Sequence, residues 1–284
     1  SDQQIEFLTK DYLRHVLLTR VESPTVAALW NNNAQRLVEG IGLGIPANNS
    51  SDPRHRAAAN EEYTLGAGGD ISRWPGSIDL AASFETELVR QFGEIASIEY
   101  RALGIATALS PQIDLATDPR WSRFKGTFGA DPDLATDLAR AYVDGFQTSS
   151  TAQQIQEGWG YESVNAMVKH WPGGGSGESG RDAHYAYGKY AVFPGDQMNT
   201  HMQPFIKGAF ALEGGTKMAS AVMPYYTVST GLDPSGENVG NAFSKYLITD
   251  QLRGKYGYDG VVCTDWMVTS DEGEMHEFAG KSWG

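Results

Sequence analysis

The sequence has little of what disulfide-bonded, membrane-spanning or nucleic-acid-binding proteins require. One cysteine occurs among 284 residues, so no disulfide can form within the chain. No apolar run approaches the length that crosses a bilayer, and the first residues are polar, unlike those of a signal peptide. Basic residues number 22 against 35 acidic ones, and no basic cluster occurs. The net charge of -13 argues against nucleic acid as a partner, because phosphate binding depends on clustered lysine and arginine.

The patterns that hold common metals and cofactors are also missing. The six histidines show no spacing that joins them to a cysteine pair, as a zinc site would need. The glycine-rich run at 173–177 lacks both the Gly-Lys-Ser/Thr ending of a phosphate-binding loop and the spacing of a dinucleotide-binding turn. We therefore predict that the protein uses neither a metal nor another cofactor.

Short apolar runs alternate with longer amphipathic segments along the chain. Strands are predicted at 15–19, in a segment that ends at residue 52, and at 105–115, 165–169, 217–223 and 260–264. Helices are predicted at 26–39, 84–103, 133–146, 201–212 and 241–256. The second of these helices has apolar residues at the spacing of a buried face, namely Phe84, Leu88, Phe92, Ile95 and Ile98.

This alternation predicts an α/β fold with a parallel sheet. About six strand-helix units are present, two fewer than the eight that close a (β/α)8 or TIM barrel. A doubly wound parallel sheet is the alternative. No internal repeat or low-complexity linker divides the chain, and the polar stretch at 148–158 has the composition of a loop. Residues 1–284 are therefore predicted to form a single domain.

The last predicted strand leads directly into a carboxylate. Unbroken apolar residues such as Val261 and Val262 are typical of a strand buried on both faces, and Cys263 is a small thiol suited to such a strand. Asp265 follows where the strand would surface, with Trp266 beside it. On this segment alone, capping of a following helix and catalysis are equally good interpretations of Asp265, since barrel enzymes carry catalytic residues at this end of their strands.

Polar clusters also follow the other predicted strands. They contain Asp52, Arg123, the pair Lys169 and His170, and Tyr226. Parallel strands would bring these clusters to one edge of the sheet. Carboxylates and cationic groups can bracket the hydroxyls of a sugar, and a tryptophan offers a flat apolar face to its ring. The set therefore predicts sugar binding and glycosyl transfer to water, with an ionised carboxylate as the nucleophile.

Three segments carry a resemblance to a known family. Residues 257–266 read Gly-Tyr-Asp-Gly-Val-Val-Cys-Thr-Asp-Trp, residues 169–173 read Lys-His-Trp-Pro-Gly, and residues 118–123 read Asp-Pro-Arg-Trp-Ser-Arg. In this order on one chain, they resemble the N-terminal barrel domain of glycoside hydrolase family 3, of the β-glucosidase or exo-β-glucanase type. The resemblance implies a barrel that is incomplete at both ends in this chain, and a C-terminal α/β sandwich domain outside this sequence.

The resemblance also implies a role for each site residue. Asp265 corresponds to the family's nucleophile, and Trp266 to a wall of the first sugar subsite. Lys169, His170 and Arg123 correspond to residues that bind sugar hydroxyls. These roles imply a retaining β-glycosidase, acting on β-glucosides or β-glucan oligosaccharides through a covalent intermediate on Asp265.

Two further residues complete the implied site. Asp52 corresponds to the aspartate that grips the distal hydroxyls of the terminal sugar, which implies exo action and release of that sugar, glucose. Tyr226 corresponds to a tyrosine that contacts the nucleophile. The family also implies a periplasmic or secreted location.

The residue that protonates the leaving group is not assigned. The family's acid/base glutamate generally lies well beyond the nucleophile, which would place it outside this sequence. After Asp265 the glutamates are Glu272, Glu274 and Glu277, in a segment polar enough to favour a solvated loop.

Two alternative functions remain open. A β-N-acetylhexosaminidase branch of the family uses an Asp-His pair as its acid/base, and Asp182 and His184 follow His170 on a glycine-rich loop. Against this, Trp266 stands where that branch usually carries a second acidic residue. The other alternative is a sugar-binding fragment without turnover, because the sugar-binding residues are present while the acid/base is not identified.

Overall fold

The computed structural model describes residues 1–19, 21–55, 60–61, 64–65, 71–149 and 154–268. The strands within these ranges are β1 (His15–Leu17), β2 (Asn48–Ser51), β3 (Asn60–Glu61), β4 (Thr64–Leu65), β5 (Thr107–Ala108), β6 (Gln154–Gln156), β7 (Trp159–Gly160), β8 (Asn165–Trp171), β9 (Tyr190–Ala191), β10 (Ala221–Pro224), β11 (Val228–Ser229) and β12 (Val261–Val262). The α-helices are α1 (Asp2–Thr9), α2 (Pro24–Glu39), α3 (Ser77–Ala81), α4 (Thr86–Leu103), α5 (Pro132–Gln147) and α6 (Met198–Gln203). Two segments are π-helical, Pro204–Ala209 and Tyr246–Lys255.

Six strands form one parallel sheet in the order β1-β2-β5-β8-β10-β12. This order follows the chain without reversal, so each new strand is added to the same side of the previous one. A doubly wound sheet reverses direction at a switch point, and that alternative is therefore wrong. Sequential addition of parallel strands is the arrangement of a (β/α)8 barrel, which confirms the predicted fold class as an incomplete barrel.

The helix boundaries follow local capping chemistry. Helix α2 begins after Ser23, whose hydroxyl accepts a backbone amide of the first turn, and has a proline at its first position. Helix α5 begins after Asp131, whose carboxylate accepts two such amides. Helix α4 ends at Gly104, which has a φ of 81°, a left-handed conformation that favours glycine. Each boundary lies within two residues of its predicted position.

The buried face of α4 differs from the predicted one. Phe92 is buried as predicted, but three of the predicted residues are largely exposed, namely Phe84 (73%), Ile95 (40%) and Ile98 (47%). The buried residues of α4 are Val89, Phe92, Gly93, Ala96, Ser97, Tyr100 and Leu103, and three of them are small. A Cβ on Gly93 would lie 3.0 Å from Gly145 Cα of α5. The helices thus cross at close range on glycines, which the spacing of large apolar residues does not reveal.

The two faces of the sheet have different neighbours. Val168 of β8 and Val222 of β10 belong to the main core cluster, which the surrounding helices share. The alternate residues Met167 and Met223 form a second cluster with Leu109. This period of two is the pleat of a strand that is covered on both faces. Side chains therefore fill the inner face of the sheet below the strand ends, as in a barrel interior.

Strand β12 is less buried than predicted. Val261 is 58% exposed and Cys263 is also exposed, so the prediction of a strand buried on both faces is wrong at this position. Within the described ranges β12 pairs with β10 on one side, and no strand pairs with its other side. An apolar run predicts burial only if neighbouring elements cover it, and within the described ranges β12 has a paired strand on one side alone.

The polar stretch at 148–158 is only partly the predicted loop. Strand β6 lies in its second half and pairs antiparallel with β7, while residues 150–153 lie outside the described ranges. In the part of the chain that the structure describes, none of the helices has the length and apolarity to cross a membrane.

Candidate active site

Polar side chains meet where the strands of the sheet end. Asp52 follows β2, Asp114 follows β5, Lys169 and His170 lie in β8, and Asp265 follows β12. Because the strands are parallel, their carboxyl ends share one edge of the sheet. Together with Arg123, these residues form a connected group, which we call the polar cluster.

Lys169 and Asp52 form an ion pair within the polar cluster. Lys169 Nζ lies 3.0 Å from Asp52 Oδ1, and the two side chains are 9% and 23% exposed. Burial alone would raise the pKa of Asp52, but Lys169, together with Arg123 and Arg54, holds that pKa below its ordinary value. Asp52 is therefore a carboxylate, and such a group can accept hydrogen bonds from hydroxyls.

His170 is held in one tautomer by its two neighbours. Its Nδ1 lies 2.7 Å from Asp114 Oδ2, and its Nε2 lies 3.2 Å from Arg123 Nη1. A guanidinium can only donate, so Nε2 accepts and Nδ1–H donates to Asp114. Burial lowers the pKa of His170 well below its ordinary value, and the charge of Arg123 lowers it further. The ring is thus neutral, with Nε2 3.8 Å from Asp265 Oδ2.

Asp114 supports both His170 and the glycine-rich loop that follows β8. Its Oδ1 accepts the backbone amides of His170 and Gly174 at 3.0 and 2.9 Å, and its Oδ2 accepts from Gln112 at 3.1 Å. A Cβ on Gly174 would lie 2.6 Å from Asp114 Oδ1, so glycine is what permits this approach. Burial raises the pKa of Asp114 to about 6, although its hydrogen bonds oppose the rise.

Arg123 is a partly buried cation among several carboxylates. Burial works against its charge, but Tyr225 and the carboxylates of Asp182, Asp265 and Asp114 raise its pKa above the ordinary value. Arg123 therefore remains charged in a position where removing it would leave buried carboxylates without a counter-ion. The sequence placed this arginine in the site by resemblance, and the structure brings it to His170.

Asp265 is 5% exposed and uses its two oxygens differently. Oδ1 accepts the backbone amide of Trp266 at 2.8 Å. A helix cap accepts an amide two or three residues further on, so this bond is not a cap. Oδ2 is buried and has no hydrogen-bond partner among the described residues. A buried carboxylate oxygen without a partner is costly, and such atoms concentrate where a ligand or reaction uses them.

Aromatic side chains border the polar cluster. Tyr226 is 2% exposed, and its pKa is raised by burial and then by the neighbouring Asp265 carboxylate. Trp266 is 44% exposed, which leaves its indole accessible. Tyr225, which the sequence did not indicate as a site residue, lies over His170 with ring centroids 4.3 Å apart. The pairing of β10 with β8 shifts register between Met223 and Pro224. Strand alternation along the sequence therefore does not predict which way the Tyr225 side chain faces.

Trp171 belongs to the core rather than to the polar cluster. It is fully buried, its Nε1 donates to the Leu247 carbonyl at 3.1 Å, and its ring contacts Phe205 and Phe210. The Lys-His-Trp-Pro-Gly segment therefore divides between two roles. Lys169 and His170 face the site, while the following tryptophan anchors the strand against the helices.

The loop after β8 carries a second carboxylate-histidine pair. His184 Nδ1 lies 2.6 Å from Asp182 Oδ1, which also accepts the His184 amide at 2.8 Å. Asp182 Oδ2 accepts from Trp121 Nε1 at 2.7 Å. Burial would raise the pKa of Asp182, but its bonds to His184 lower it below the ordinary value. The His184 ring packs edge-on against Tyr226, with centroids 5.1 Å apart, so the pair adjoins the polar cluster.

Neither the glutamates after Asp265 nor a metal site adds to the polar cluster within the described part of the chain. Glu272, Glu274 and Glu277 lie outside the described residues. Within the described ranges, no three or more histidine, cysteine, aspartate or glutamate side chains are arranged to hold a metal ion.

Comparison with known proteins identifies the family. The model of the glycosyl hydrolase family 3 N terminal domain matches residues 4–282. The chain belongs to this family. A periplasmic β-glucosidase/β-xylosidase of Dickeya chrysanthemi is 43% identical over 253 residues, which cover 88% of this chain and 37% of that protein. β-Glucosidase C of Emericella nidulans is 40% identical over 263 residues, covering 92% of this chain and 40% of that protein.

A solved structure agrees with the family assignment. A glycoside hydrolase family 3 β-N-acetylglucosaminidase from Paenibacillus sp. str. FPU-7 matches with a TM-score of 0.76 and 25% identity, over 93% of this chain and 45% of that one. The predicted family and the barrel-type fold are both confirmed. The chain spans 37% to 45% of the length of these three relatives.

Proposed function

We propose that the protein is a retaining, exo-acting β-glycosidase that releases terminal glucose from β-glucosides or β-glucan oligosaccharides. The observation that carries the proposal is the composition of the polar cluster. Asp265 presents a buried oxygen that has no hydrogen-bond partner among the described residues and lies 3.8 Å from neutral His170. Charged Arg123 and the Lys169–Asp52 ion pair adjoin that histidine. A nucleophile and hydroxyl-binding groups on one edge of a barrel support glycosyl transfer.

In the proposed reaction, Asp265 attacks the anomeric carbon of the terminal sugar. A bond forms between the carboxylate oxygen and that carbon, the glycosidic C–O bond breaks, and the leaving oxygen takes a proton from an acid. Water then attacks the same carbon, releases Asp265 and returns the proton to the base. None of the described residues is assigned as this acid/base for a glucosidase.

Exo action follows from the proposed role of Asp52. A carboxylate can accept hydrogen bonds from two adjacent hydroxyls at the distal end of a sugar, and in a chain linked through one of these hydroxyls only the non-reducing terminal sugar has both free. Lys169 supports this role because it holds Asp52 ionised and in place through their 3.0 Å contact. A sugar with a further residue attached at that end would lose these bonds.

We also propose that the protein acts in the periplasm or outside the cell. The support is the relative from Dickeya chrysanthemi, which is described as periplasmic and is 43% identical. Separating cell fractions and measuring nitrophenyl glucosidase activity in each would test the location, and activity confined to the cytoplasm would contradict it.

Trapping with an activated 2-deoxy-2-fluoro-β-glucoside tests the proposed reaction. The fluorine slows hydrolysis of the covalent intermediate, so the full-length protein should gain the mass of one fluoroglucosyl group on the peptide that contains Asp265. Asp259→Asn is the matched control, because Asp259 lies at the other end of β12 and is exposed. The control should still be labelled at Asp265, and an adduct on another residue would overturn the assignment.

A second candidate is β-N-acetylhexosaminidase activity, favoured by the 2.6 Å contact between His184 Nδ1 and Asp182 Oδ1. This pair would supply the acid/base within the described chain. Comparing a nitrophenyl N-acetylglucosaminide with the nitrophenyl glucoside distinguishes the two candidates. A higher kcat/KM for the acetamido sugar, lost in His184→Gln, would replace the glucosidase proposal.

A further inference from the structure

One carboxylate on α4 joins the two stretches of chain on either side of residues 56–70. Glu99 Oε2 lies 2.7 Å from His55 Nε2. The backbone amide of Ser72 lies 3.1 and 3.2 Å from the two oxygens of Glu99, and the Ser72 hydroxyl donates to Oε2 at 2.8 Å. Polar groups from both stretches therefore converge on a single side chain.

The same two stretches also contact each other directly. The Trp74 amide donates to the His55 carbonyl at 2.7 Å, and Trp74 Nε1 donates to the Ser72 hydroxyl at 3.0 Å. The Trp74 ring packs edge-on against Phe92 of α4, with centroids 5.4 Å apart. We call Glu99, His55, Ser72 and Trp74 the α4 clasp.

The α4 clasp lies next to the backbone of Asp52. Tyr100, which follows Glu99 on α4 and is fully buried, donates its hydroxyl to the Asp52 carbonyl at 2.6 Å. Two residues separate Asp52 from His55, and the His55 ring lies over Tyr100 with centroids 5.0 Å apart. Adjacent residues of α4 thus hold the segment that carries Asp52 at two points.

We propose that Glu99 is a positioning residue for the terminal-sugar subsite, acting through His55 and Ser72 on the segment that carries Asp52. The proposal rests on the proposed function, in which Asp52 binds the distal hydroxyls. Glu99 holds residues 52–55, and the position of this segment sets where the Asp52 carboxylate meets the sugar. Catalytic geometry is sensitive to small displacements of such groups. If this segment is held less firmly, the protein should distinguish less well between a sugar that has the distal hydroxyls and one that lacks them.

The chemistry of the α4 clasp requires a carboxylate. Ser72 donates to both oxygens of Glu99 through its amide and to Oε2 through its hydroxyl, and His55 Nε2 lies 2.7 Å from the same Oε2. In Glu99→Gln one of these oxygens becomes an NH2 group that points at donors, although the side chain keeps its size. Glu94→Gln is the matched control, because Glu94 lies on the same helix with similar exposure and pairs with Arg90 at the surface.

The first test compares a nitrophenyl β-glucoside with its 4-deoxy analogue in the full-length protein. Wild type should prefer the parent sugar, and the ratio of the two kcat/KM values should fall about 10-fold in Glu99→Gln, as expected when one hydrogen bond to a charged group is weakened. Glu94→Gln should keep the wild-type ratio. A variant that merely folds less well loses both rates equally, so an unchanged ratio in Glu99→Gln would overturn the proposal.

The second test does not depend on activity. Hydrogen exchange measured by mass spectrometry should be faster in Glu99→Gln than in Glu94→Gln for peptides that cover residues 50–55 and 71–75, and unchanged for α5. Equal exchange in both variants would overturn the α4 clasp itself. If wild type hydrolyses no β-glycoside, the proposed function fails, while the exchange measurement still decides whether Glu99 holds the Asp52 segment.

Discussion

Asp114 and Asp265 are two buried aspartates at the same edge of the sheet, and they differ in how completely their oxygens are bonded. Both oxygens of Asp114 accept hydrogen bonds, from His170, Gly174 and Gln112. One oxygen of Asp265 accepts a bond from its neighbour in sequence, and the other has no hydrogen-bond partner among the described residues. A fully bonded carboxylate can orient other groups, whereas an unbonded one is free to meet a substrate.

The surroundings of the two aspartates differ in the same way. Asp114 follows β5, which has a neighbouring strand on each side, and it is fully enclosed. Asp265 follows β12, where Val261 is 58% exposed. The residues proposed to bind sugar therefore follow strands in the interior of the sheet, while the proposed nucleophile follows a strand with one described neighbour.

The largest effect is expected from Asp265→Asn. An amide cannot form the covalent intermediate, so kcat on a nitrophenyl glucoside should fall by a factor on the order of 10^4 or more. The fold should be retained, because Arg123 keeps the carboxylates of Asp182 and Asp114 as partners. Asp259→Asn should retain wild-type activity. A near-normal kcat in Asp265→Asn would show that Asp265 is not the nucleophile, so the two aspartates would not differ in function as proposed.

Asp114→Asn should act on stability in a pH-dependent way. The pKa of Asp114 is about 6 in the folded protein, above its ordinary value of 3.8. The folded state thus binds this proton more tightly than the unfolded state, and wild type loses stability as pH rises from about 4 through 6. Relative to Asp114→Asn, this loss should amount to about 3 kcal/mol. Urea unfolding of both proteins at pH 4 and pH 7 measures it, and a pH-independent difference would contradict it.

Asp52→Asn should weaken recognition of the terminal sugar without removing the nucleophile. Loss of a charged hydrogen-bond acceptor should lower kcat/KM by about 100-fold. The 4-deoxy glucoside should suffer less than the parent, since it lacks one of the bonded hydroxyls. Trapping by the fluoroglucoside should still occur at Asp265. Equal losses on the two substrates would show that Asp52 does not bind that hydroxyl.

The smallest effects compare β8, which pairs on both sides, with β12, which pairs on one side among the described residues. Val168→Ala, at a fully buried position of β8, should cost about 2 kcal/mol of unfolding free energy, because it leaves a cavity in the core. Val261→Ala in β12 should cost less than about 0.5 kcal/mol in the 284-residue chain, because the side chain is 58% exposed. Urea denaturation measures both, and equal costs would mean that β12 is as enclosed as β8.

Helix boundaries and motif segments could be predicted from the sequence because they depend on nearby residues. Ser23 and Asp131 bond to the next turn of their own helices, and Gly104 supplies its own backbone conformation, so the helix boundaries were predictable. The buried face of α4 could not be predicted in this way, because the close crossing at Gly93 and Gly145 depends on a second helix. The roles of the predicted site residues stay predictions until the variants are measured.

The sequence by itself determined the order of six strand-helix units, the family, and which polar residues end the strands. The tertiary structure alone decided which of those residues bond to one another. Asp114, Gly174 and Glu99 have contacts that span 27 to 60 positions in sequence. Hydrophobic period and capping describe neighbours along the chain, while the pairing of carboxylates with their donors is set where distant strand ends meet.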